Sequence, residues 1–389
     1  MSKGTKSFTK GYEKEIQQCI RCGFCQAICP VYDVTYRPAY NARGKMLLLK
    51  EVMEGSIQPG EELSDPFYTC TTCQACTYSC PAKIKVDEVV EGVRKSMYEA
   101  GFVPQPLLGV RDNISNTGNV YASAQEDRIE IYPPALKEKV QKGELKSKAE
   151  TLLFMGCVPS YLDMKIVPSL IKPLDAAEVD YTTLAMEESC CGFPLFLMGS
   201  DQFESHAVKI IEKIKATGAR ELVTPCAGCY KTFKKLYPKI GGLELEVYHS
   251  VHYIDKLIND GKIKFNREVA KTVTYHDPCD LGRALNIFEE PRNILKNIPG
   301  LELVEMSRNR LDARCCGGGG GVQANNPEIA ERMGAERVRD ALAVDAELIV
   351  SGCAACKDNL RKGARTIPRD ERGKVKIMDI TEIVAKALG

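Results

Sequence analysis

The sequence predicts an α/β protein: a mostly helical, cysteine-rich segment, a connecting arm, and then a duplicated unit built on parallel sheets. Three observations lead there. Two N-terminal cysteine runs share one spacing. A different, five-cysteine pattern is written twice in the remaining two-thirds of the chain. Around each copy, short β-branched runs alternate with longer amphipathic ones, the rhythm of strands and helices in a parallel sheet.

The N-terminal runs are Cys19-x2-Cys22-x2-Cys25-x3-Cys29-Pro30 and Cys70-x2-Cys73-x2-Cys76-x3-Cys80-Pro81. Both follow the bacterial ferredoxin spacing, in which the fourth cysteine of each run serves the other cluster. One cubane [4Fe–4S] cluster is therefore expected on Cys19, Cys22, Cys25 and Cys80, and a second on Cys70, Cys73, Cys76 and Cys29. Zinc knuckles would need neither the third close cysteine nor the proline. The forty residues between the runs exceed the tight loop of a small ferredoxin, and Gly44–Glu54 has helical character. A helical, two-cluster, ferredoxin-like domain over residues 1–100 follows. Such clusters pass single electrons.

Residues 101–149 are rich in Pro, Asn, Gly and charge and poor in apolar clusters; they read as a connecting arm at the surface. The two copies occupy residues 150–265 and 266–389. The first carries Cys157, Cys190-Cys191-Gly192 and Cys226-x-x-Cys229, the second Cys279, Cys315-Cys316-Gly317 and Cys353-x-x-Cys356. Corresponding cysteines lie 122, 125, 125, 127 and 127 residues apart, so internal spacing is kept. Strands are expected over Thr151–Met155, Glu221–Thr224, Thr272–Tyr275, Leu301–Met306 and Glu347–Val350. Helices are expected over Ser200–Thr217, over Leu281–Asn297 with Pro291 as a candidate kink, and from Asn326 with Pro327 in its first turn. Cys157, Cys226, Cys279 and Cys353 each then follow a strand. Sites in parallel sheets form at the carboxyl ends of strands, so each copy brings five sulfurs to one sheet edge. Five thiolates are one more than a cubane or a tetrahedral zinc needs.

All eighteen cysteines of the 389 residues fall in ligand patterns, which favours a reducing, cytoplasmic setting over a disulfide framework. A formal net charge of +1 gives no reason to expect nucleic acid. The N-terminus, Met-Ser-Lys-Gly-Thr-Lys-Ser, has no apolar core like that of a signal peptide. Apolar runs such as Met46–Leu49 and Leu195–Met198 are too short to cross a bilayer, so a membrane role would run through a partner. No flavin or NAD is expected on this chain: Gly317–Gly321 follows a cysteine pair rather than opening a βαβ unit, and no Gly-Lys-Ser/Thr follows it.

The double ferredoxin run followed by two copies of Cys…Cys-Cys-Gly…Cys-x-x-Cys resembles the CCG-domain iron–sulfur oxidoreductases. It is similar above all to the D-type chains of heterodisulfide reductases, in which the functions of the separate C-type and B-type chains are fused. Cys190-Cys191-Gly-Phe-Pro-Leu, Thr224-Pro-Cys-Ala-Gly-Cys229, His276-Asp-Pro-Cys-Asp-Leu-Gly-Arg283 and Cys315-Cys316 with its five glycines carry the likeness. The resemblance implies two α/β CCG domains. It also implies noncubane [4Fe–4S] clusters on Cys157, Cys190, Cys191, Cys226 and Cys229 and on Cys279, Cys315, Cys316, Cys353 and Cys356, reducing a disulfide such as CoM-S-S-CoB beside a membrane cytochrome b-like subunit. The pattern equally resembles the iron–sulfur subunits of glycolate, lactate and glycerol-3-phosphate dehydrogenase complexes. There an FAD-binding subunit supplies electrons for a quinone or another carrier. Zinc on four thiolates, in the first copy especially, stays open.

Other candidates have two readings each. His276, beside Asp277 and before Cys279, is placed to protonate a departing thiolate or to pack in a turn. His206, in an amphipathic stretch, reads as structural, and His249 and His252 carry less signal. Arg283, Arg308, Arg310, Arg314, Lys231, Lys234 and Lys235 either meet an anionic substrate, such as a coenzyme M sulfonate or coenzyme B phosphate, or are solvated surface. Gly192, Gly228 and Gly317–Gly321 let backbone N–H groups approach sulfur closely.

Overall fold

The fold was obtained as a computed structural model that describes residues 8–146 and 148–389; the reading of the first seven residues lies outside them. The N-terminal region is helical. Asn41 caps the helix Ala42–Glu54, its side chain accepting from the Gly44 N–H at 2.9 Å, and the helix stops at left-handed Gly55. It buries Met46, Leu49 and Val52. The helix Val86–Glu99 presents Val86, Val89, Val90, Val93 and Met97 to the same core. Each cysteine run turns through a left-handed residue into a short helix, Gly23 before Phe24–Ala27 and Gln74 before Ala75–Ser79. Pro30 opens the helix Pro30–Thr35, where its missing N–H costs nothing.

Residues 101–149 depart from the expected surface arm. Gln105–Thr117 and Pro134–Gln141 are helices, and Leu107, Ile114, Ile131, Tyr132 and Val140 are buried. The anchor is Arg128, fully buried and paired at 2.6 Å with Glu188, which is fully buried too. Glu188 also accepts from the Met155 and Gly156 N–H groups at 2.8 and 2.9 Å, and Arg128 Nη1 donates to Ser160 Oγ at 2.8 Å as well, so breaking the pair would strand a buried charge.

Each copy folds around a four-stranded, wholly parallel sheet. The first has β1 (Thr151–Leu153), β2 (Tyr181–Thr183), β3 (Glu221–Thr224) and β4 (Glu246–His249) in the order β2-β1-β3-β4. The second has β5 (Lys271–His276), β6 (Leu301–Leu303), β7 (Leu348–Ser351) and β8 (Lys376–Asp379) in the order β6-β5-β7-β8. The expected helix Leu281–Asn297 is in fact two, Gly282–Leu285 and Glu290–Asn297. The break falls at Asn286 (φ 65°), and Pro291 starts the second helix rather than kinking one. Ser200–Thr217 is observed as Gln202–Ala216, and the helix expected from Asn326 runs Pro327–Leu342.

The copies pack reciprocally. The helix Ile166–Ala176 of the first lies against Ile380–Leu388 of the second, and Glu290–Asn297 of the second against Ser250–Asn259 of the first. Ion pairs cross the junction: buried Lys231 with half-buried Asp280 at 3.0 Å, and Lys357 with Asp163, both buried, at 2.7 Å. This near-twofold arrangement turns the carboxyl edges of the two sheets towards one another.

Candidate metal centres

Strand geometry places the sulfurs. β1 and β3 are the inner strands of the first sheet, and Cys157 and Cys226 follow them; Cys279 and Cys353 follow inner strands β5 and β7. Cys226 and Cys353 each cap a helix, their sulfurs accepting from the Cys229 and Cys356 N–H at 3.5 and 3.4 Å. The Cys-Cys pairs arrive on loops, and Gly317 and Gly318 aim N–H groups at the Cys315 and Cys316 sulfurs, each at 3.4 Å. A Cβ on Gly156 would stand 3.2 Å from the Cys229 sulfur, so only glycine (φ +80°) lets the chain pass there.

Within each copy the thiols touch. Cys191 sits between Cys190 and Cys229, and Cys316 between Cys315 and Cys356, with Cys316 and Cys356 sulfurs 3.1 Å apart. Hydrogen bonds from both neighbours hold the middle thiol of each copy well below its usual value, and the same bonds push the outer thiols up. All eighteen cysteines are free thiols. Five crowded sulfurs with no carboxylate among them are a donor set for a soft metal, which would take the place of the shared protons.

One cavity of about 430 Å³ joins the two copies. All five cysteines of the first copy wall it, with Cys279, Cys316, Cys353 and Cys356 of the second. The tenth, Cys315, turns the other way, into a buried cluster with Cys73 and Met333. Its hydrogen bond to Cys73 pulls that thiol down to about 5. The N-terminal cysteines line two small cavities of their own. Cys29, Cys70, Cys73 and Cys76 share one, while Cys19, Cys22, Cys25 and Cys80 share the other, which Cys76 also borders. The fourth cysteine of each run thus lies with the other run.

The glycine run does two jobs. Gly317 and Gly318 face sulfur; at Gly320 a Cβ would stand 2.2 Å from the Cys70 carbonyl oxygen, so this residue admits close backbone contact with the first ferredoxin-type cavity. Sequence reasoning missed Arg94, which ties the three regions together. Fully buried, it donates to the carbonyls of Cys70 (2.6 Å), Leu197 (2.8 Å) and Gly320 (3.0 Å). The one sequence signal was its position on the apolar stripe of Val90, Val93 and Met97.

His276 ends β5 fully buried, with a ring nitrogen, the Cys316 sulfur and the Cys356 sulfur within 4.8 Å of one another. Its Nδ1 accepts from Arg337 Nε at 3.1 Å. A guanidinium only donates, so Nδ1 accepts and the ring proton sits on Nε2, which makes no hydrogen bond of its own. Asp277 plays no part in this; Arg292 holds it in a buried bidentate pair at 2.7 and 3.0 Å. His206 Nε2–H donates to the Cys190 carbonyl (2.7 Å), and His249 caps Ser250–Asn259.

None of the candidate cations lines the shared cavity. Arg283 is buried and donates to the carbonyls of Cys73, Leu311 and Ala313. Arg308 and Arg314 pair with Asp33, Arg310 with Glu289, Lys231 with Asp280 and Lys234 with Glu246, and Lys235 is exposed.

These features define an iron–sulfur oxidoreductase with a two-cluster wire joined to paired cysteine-rich units. Residues 15–84 match the 4Fe-4S dicluster domain family, and residues 151–234 and 273–361 match the cysteine-rich CCG domain family. The D-type chain of the dihydromethanophenazine:CoB–CoM heterodisulfide reductase of Methanosarcina barkeri is 33% identical over 99% of this chain and 97% of its own. The chain belongs to the CCG-domain iron–sulfur oxidoreductases of the heterodisulfide reductase D type. The EtfAB:quinone oxidoreductase of Syntrophomonas wolfei is 27% identical over 96% of this chain and 58% of its own length. A probable membrane-anchored ferredoxin of Chromohalobacter salexigens is 30% identical over 95% and 59%. Among the described residues no helix is long and apolar enough to cross a membrane.

Proposed function

We propose that the chain is the catalytic iron–sulfur subunit of a heterodisulfide reductase-type complex, reducing a disulfide in the cavity between its two cysteine-rich copies. The single observation that carries this is that nine of the ten sulfurs of the two sets wall one cavity. Cys19, Cys22, Cys25 and Cys80, and Cys70, Cys73, Cys76 and Cys29, would hold two cubanes. The ten remaining cysteines would hold one or two noncubane [4Fe–4S] clusters, groups that store single electrons and offer iron to sulfur. The reaction R–S–S–R′ + 2 e⁻ + 2 H⁺ breaks one S–S bond and leaves two thiols, R–SH and R′–SH.

The chain's own groups serve that reaction in three ways. His276, held by Arg337 through Nδ1, would turn its Nε2–H beside Cys316 and Cys356 as a hydrogen-bond donor to thiolate charge, the two protons of the reaction coming from solvent. Gly317 and Gly318 N–H groups stabilise thiolate charge. The Cys73–Cys315 contact makes the second copy the one nearest the N-terminal wire. At the far end of that wire, Cys22 is the one exposed cysteine among the described residues, with Ile20 (68% exposed) and Phe24 (61%) next to it. This face would dock the electron partner, a membrane cytochrome b-like protein on this reading, with the chain itself in the cytoplasm.

The same exposed face also supports a pure relay, in which an FAD-binding dehydrogenase loads the wire and a quinone or other carrier unloads it. One experiment separates the readings. Oxygen-free protein should hold about sixteen iron and no zinc if all four sites carry [4Fe–4S], and about twelve iron with one zinc if the first copy is a closed thiolate site. Viologen-reduced protein should consume a disulfide; a preparation holding only two cubanes and inert to every disulfide sinks the catalytic reading.

A further inference from the structure

The two ferredoxin-type cavities differ in the charge buried around them. Lys45 lines the inner one, shared by Cys29, Cys70, Cys73 and Cys76, and its ammonium donates to the Tyr40 carbonyl. Arg94 donates to the Cys70 carbonyl and Arg283 to the Cys73 carbonyl, each at 2.6 Å. Lys45, Arg94 and Arg283 are 1%, 0% and 3% exposed. Among the described residues, every hydrogen bond these three cations make ends on a backbone carbonyl, never on a carboxylate. The charge each one faces is that of a cysteine in this set: Cys29 for Lys45, Cys70 for Arg94 and Cys73 for Arg283. One buried carboxylate, Asp87, lines the same cavity and accepts from Thr77. Glu91 also acts on Arg94, and burial pushes its own carboxyl up to about 7. The outer cavity, shared by Cys19, Cys22, Cys25 and Cys80, is bordered by Arg21 and Arg43, and both are exposed.

A buried cation without a counter-charge is strongly unfavourable, so three around one cavity call for an anion inside it. Four thiolates on an iron–sulfur core are such an anion, and each electron taken up adds one more negative charge. Burial alone disfavours that added charge, whereas a buried cation close by favours it, and here three cations stand against Asp87. Around the outer cavity water screens the arginines. We propose that the inner site is the electron store of the wire: Lys45, Arg94 and Arg283 set its one-electron potential above that of the outer site. An electron delivered beside Cys22 by a docked one-electron donor then comes to rest at Cys73, against Cys315 of the second copy. One electron leaves the outer site and arrives at the inner one; no bond is made or broken and no proton moves. The inference rests on the two-cubane reading above and adds the order of the two sites, with the three cations as positioning residues.

The test is a redox titration of oxygen-free full-length protein, poised with mediators and dithionite and followed by low-temperature EPR. The two cubane signals should appear at separate potentials. Lys45→Met should raise the oxidised-to-reduced ratio of the higher-potential signal about tenfold at a fixed potential, a fall of about 59 mV for one electron. Lys45→Arg should restore it. Asp87→Asn removes the opposing charge and should move the same signal upwards, a direction that mere loosening of the fold does not give. Arg43→Met, which removes an exposed cation two residues earlier on the same helix, should change either ratio by less than about threefold. Equal potentials, or Lys45→Met and Asp87→Asn effects that are absent or fall on the lower-potential signal, overturn the proposal. Fully reduced protein with fewer than two cubane signals overturns the two-cubane reading itself, a different result from two sites in the wrong order.

Discussion

The two cysteine-rich halves share strand order and sulfur positions, yet different groups stand behind those sulfurs. Three residues before its first cysteine the first copy has Phe154, fully buried; the second has His276, aimed at Cys316 and Cys356. The first copy is braced from residues 101–149 through Arg128 and Glu188, and Cys190 N–H donates to the Gly118 carbonyl at 2.7 Å. The second is braced from within by Asp277 and Arg292, and it meets the N-terminal region through Cys315, Arg283 and Gly320. Duplication has kept the ligand frame while the surroundings diverged. One half meets the N-terminal region and has a histidine behind its sulfurs; the other is tied to residues of 101–149 and has an aromatic ring there.

That contrast is most easily broken at the braces. Arg128→Met leaves the Glu188 carboxylate buried without its cation, a loss of about 3–5 kcal/mol. Urea denaturation followed by circular dichroism should show it, with iron lost from the first copy before the second. A variant as stable as the parent would mean that residues 101–149 do not brace the first copy. A smaller effect is expected at the other junction. Gly320→Ala forces a Cβ to within 2.2 Å of the Cys70 oxygen at φ +66°, an overpacking cost of about 1–3 kcal/mol. Gly319→Ala, whose Cβ would lie 3.3 Å from the Thr71 oxygen, is the milder partner. Hydrogen exchange should rise in 70–76 and 315–325 together for Gly320→Ala and much less for Gly319→Ala.

Spacing made the grouping of the cysteines legible because it is set locally: the fourth-cysteine exchange and the edge placement of the sulfurs follow from positions a few residues apart. Inner strands were legible too, Glu221–Thr224 to the residue, since both faces are covered and the run is apolar. Outer strands Tyr181–Thr183, Glu246–His249 and Lys376–Asp379 were not, being three or four residues held by one neighbour rather than by composition. What escaped entirely was long-range. Arg128 meets Glu188 sixty residues on, and Arg94 and Arg283 satisfy carbonyls from other regions; of these only Arg283 had drawn a reading from the sequence, and it is an internal tie rather than solvated surface.

The finest test of the divergence lies at two equivalent helix caps. His249 ends β4 and its Nδ1 accepts from the Val251 N–H at 3.2 Å; Asp379 ends β8 and accepts from the Thr381 N–H at 2.9 Å. Burial moves them in opposite directions, the His249 imidazole from 6.5 down to about 3 and the Asp379 carboxyl from 3.8 up to about 7. On acidification the unfolded chain protonates at His249 first, so that cap's contribution is full above pH 6.5 and is lost as pH falls towards 3. Folded Asp379 keeps its proton up to about 7 while the unfolded group releases it above 3.8, so its contribution is full below 3.8 and is lost as pH rises through 7. Each slope is at most about 1.4 kcal/mol per pH unit. Between pH 7.5 and 5.5, hydrogen exchange corrected for intrinsic rates should show the helix Ser250–Asn259 losing protection while Ile380–Leu388 gains it. His249→Asn and Asp379→Asn should each flatten only their own helix. If both helices move together with pH, the two copies respond as one body, and the divergence behind their sulfurs has no energetic consequence at the caps.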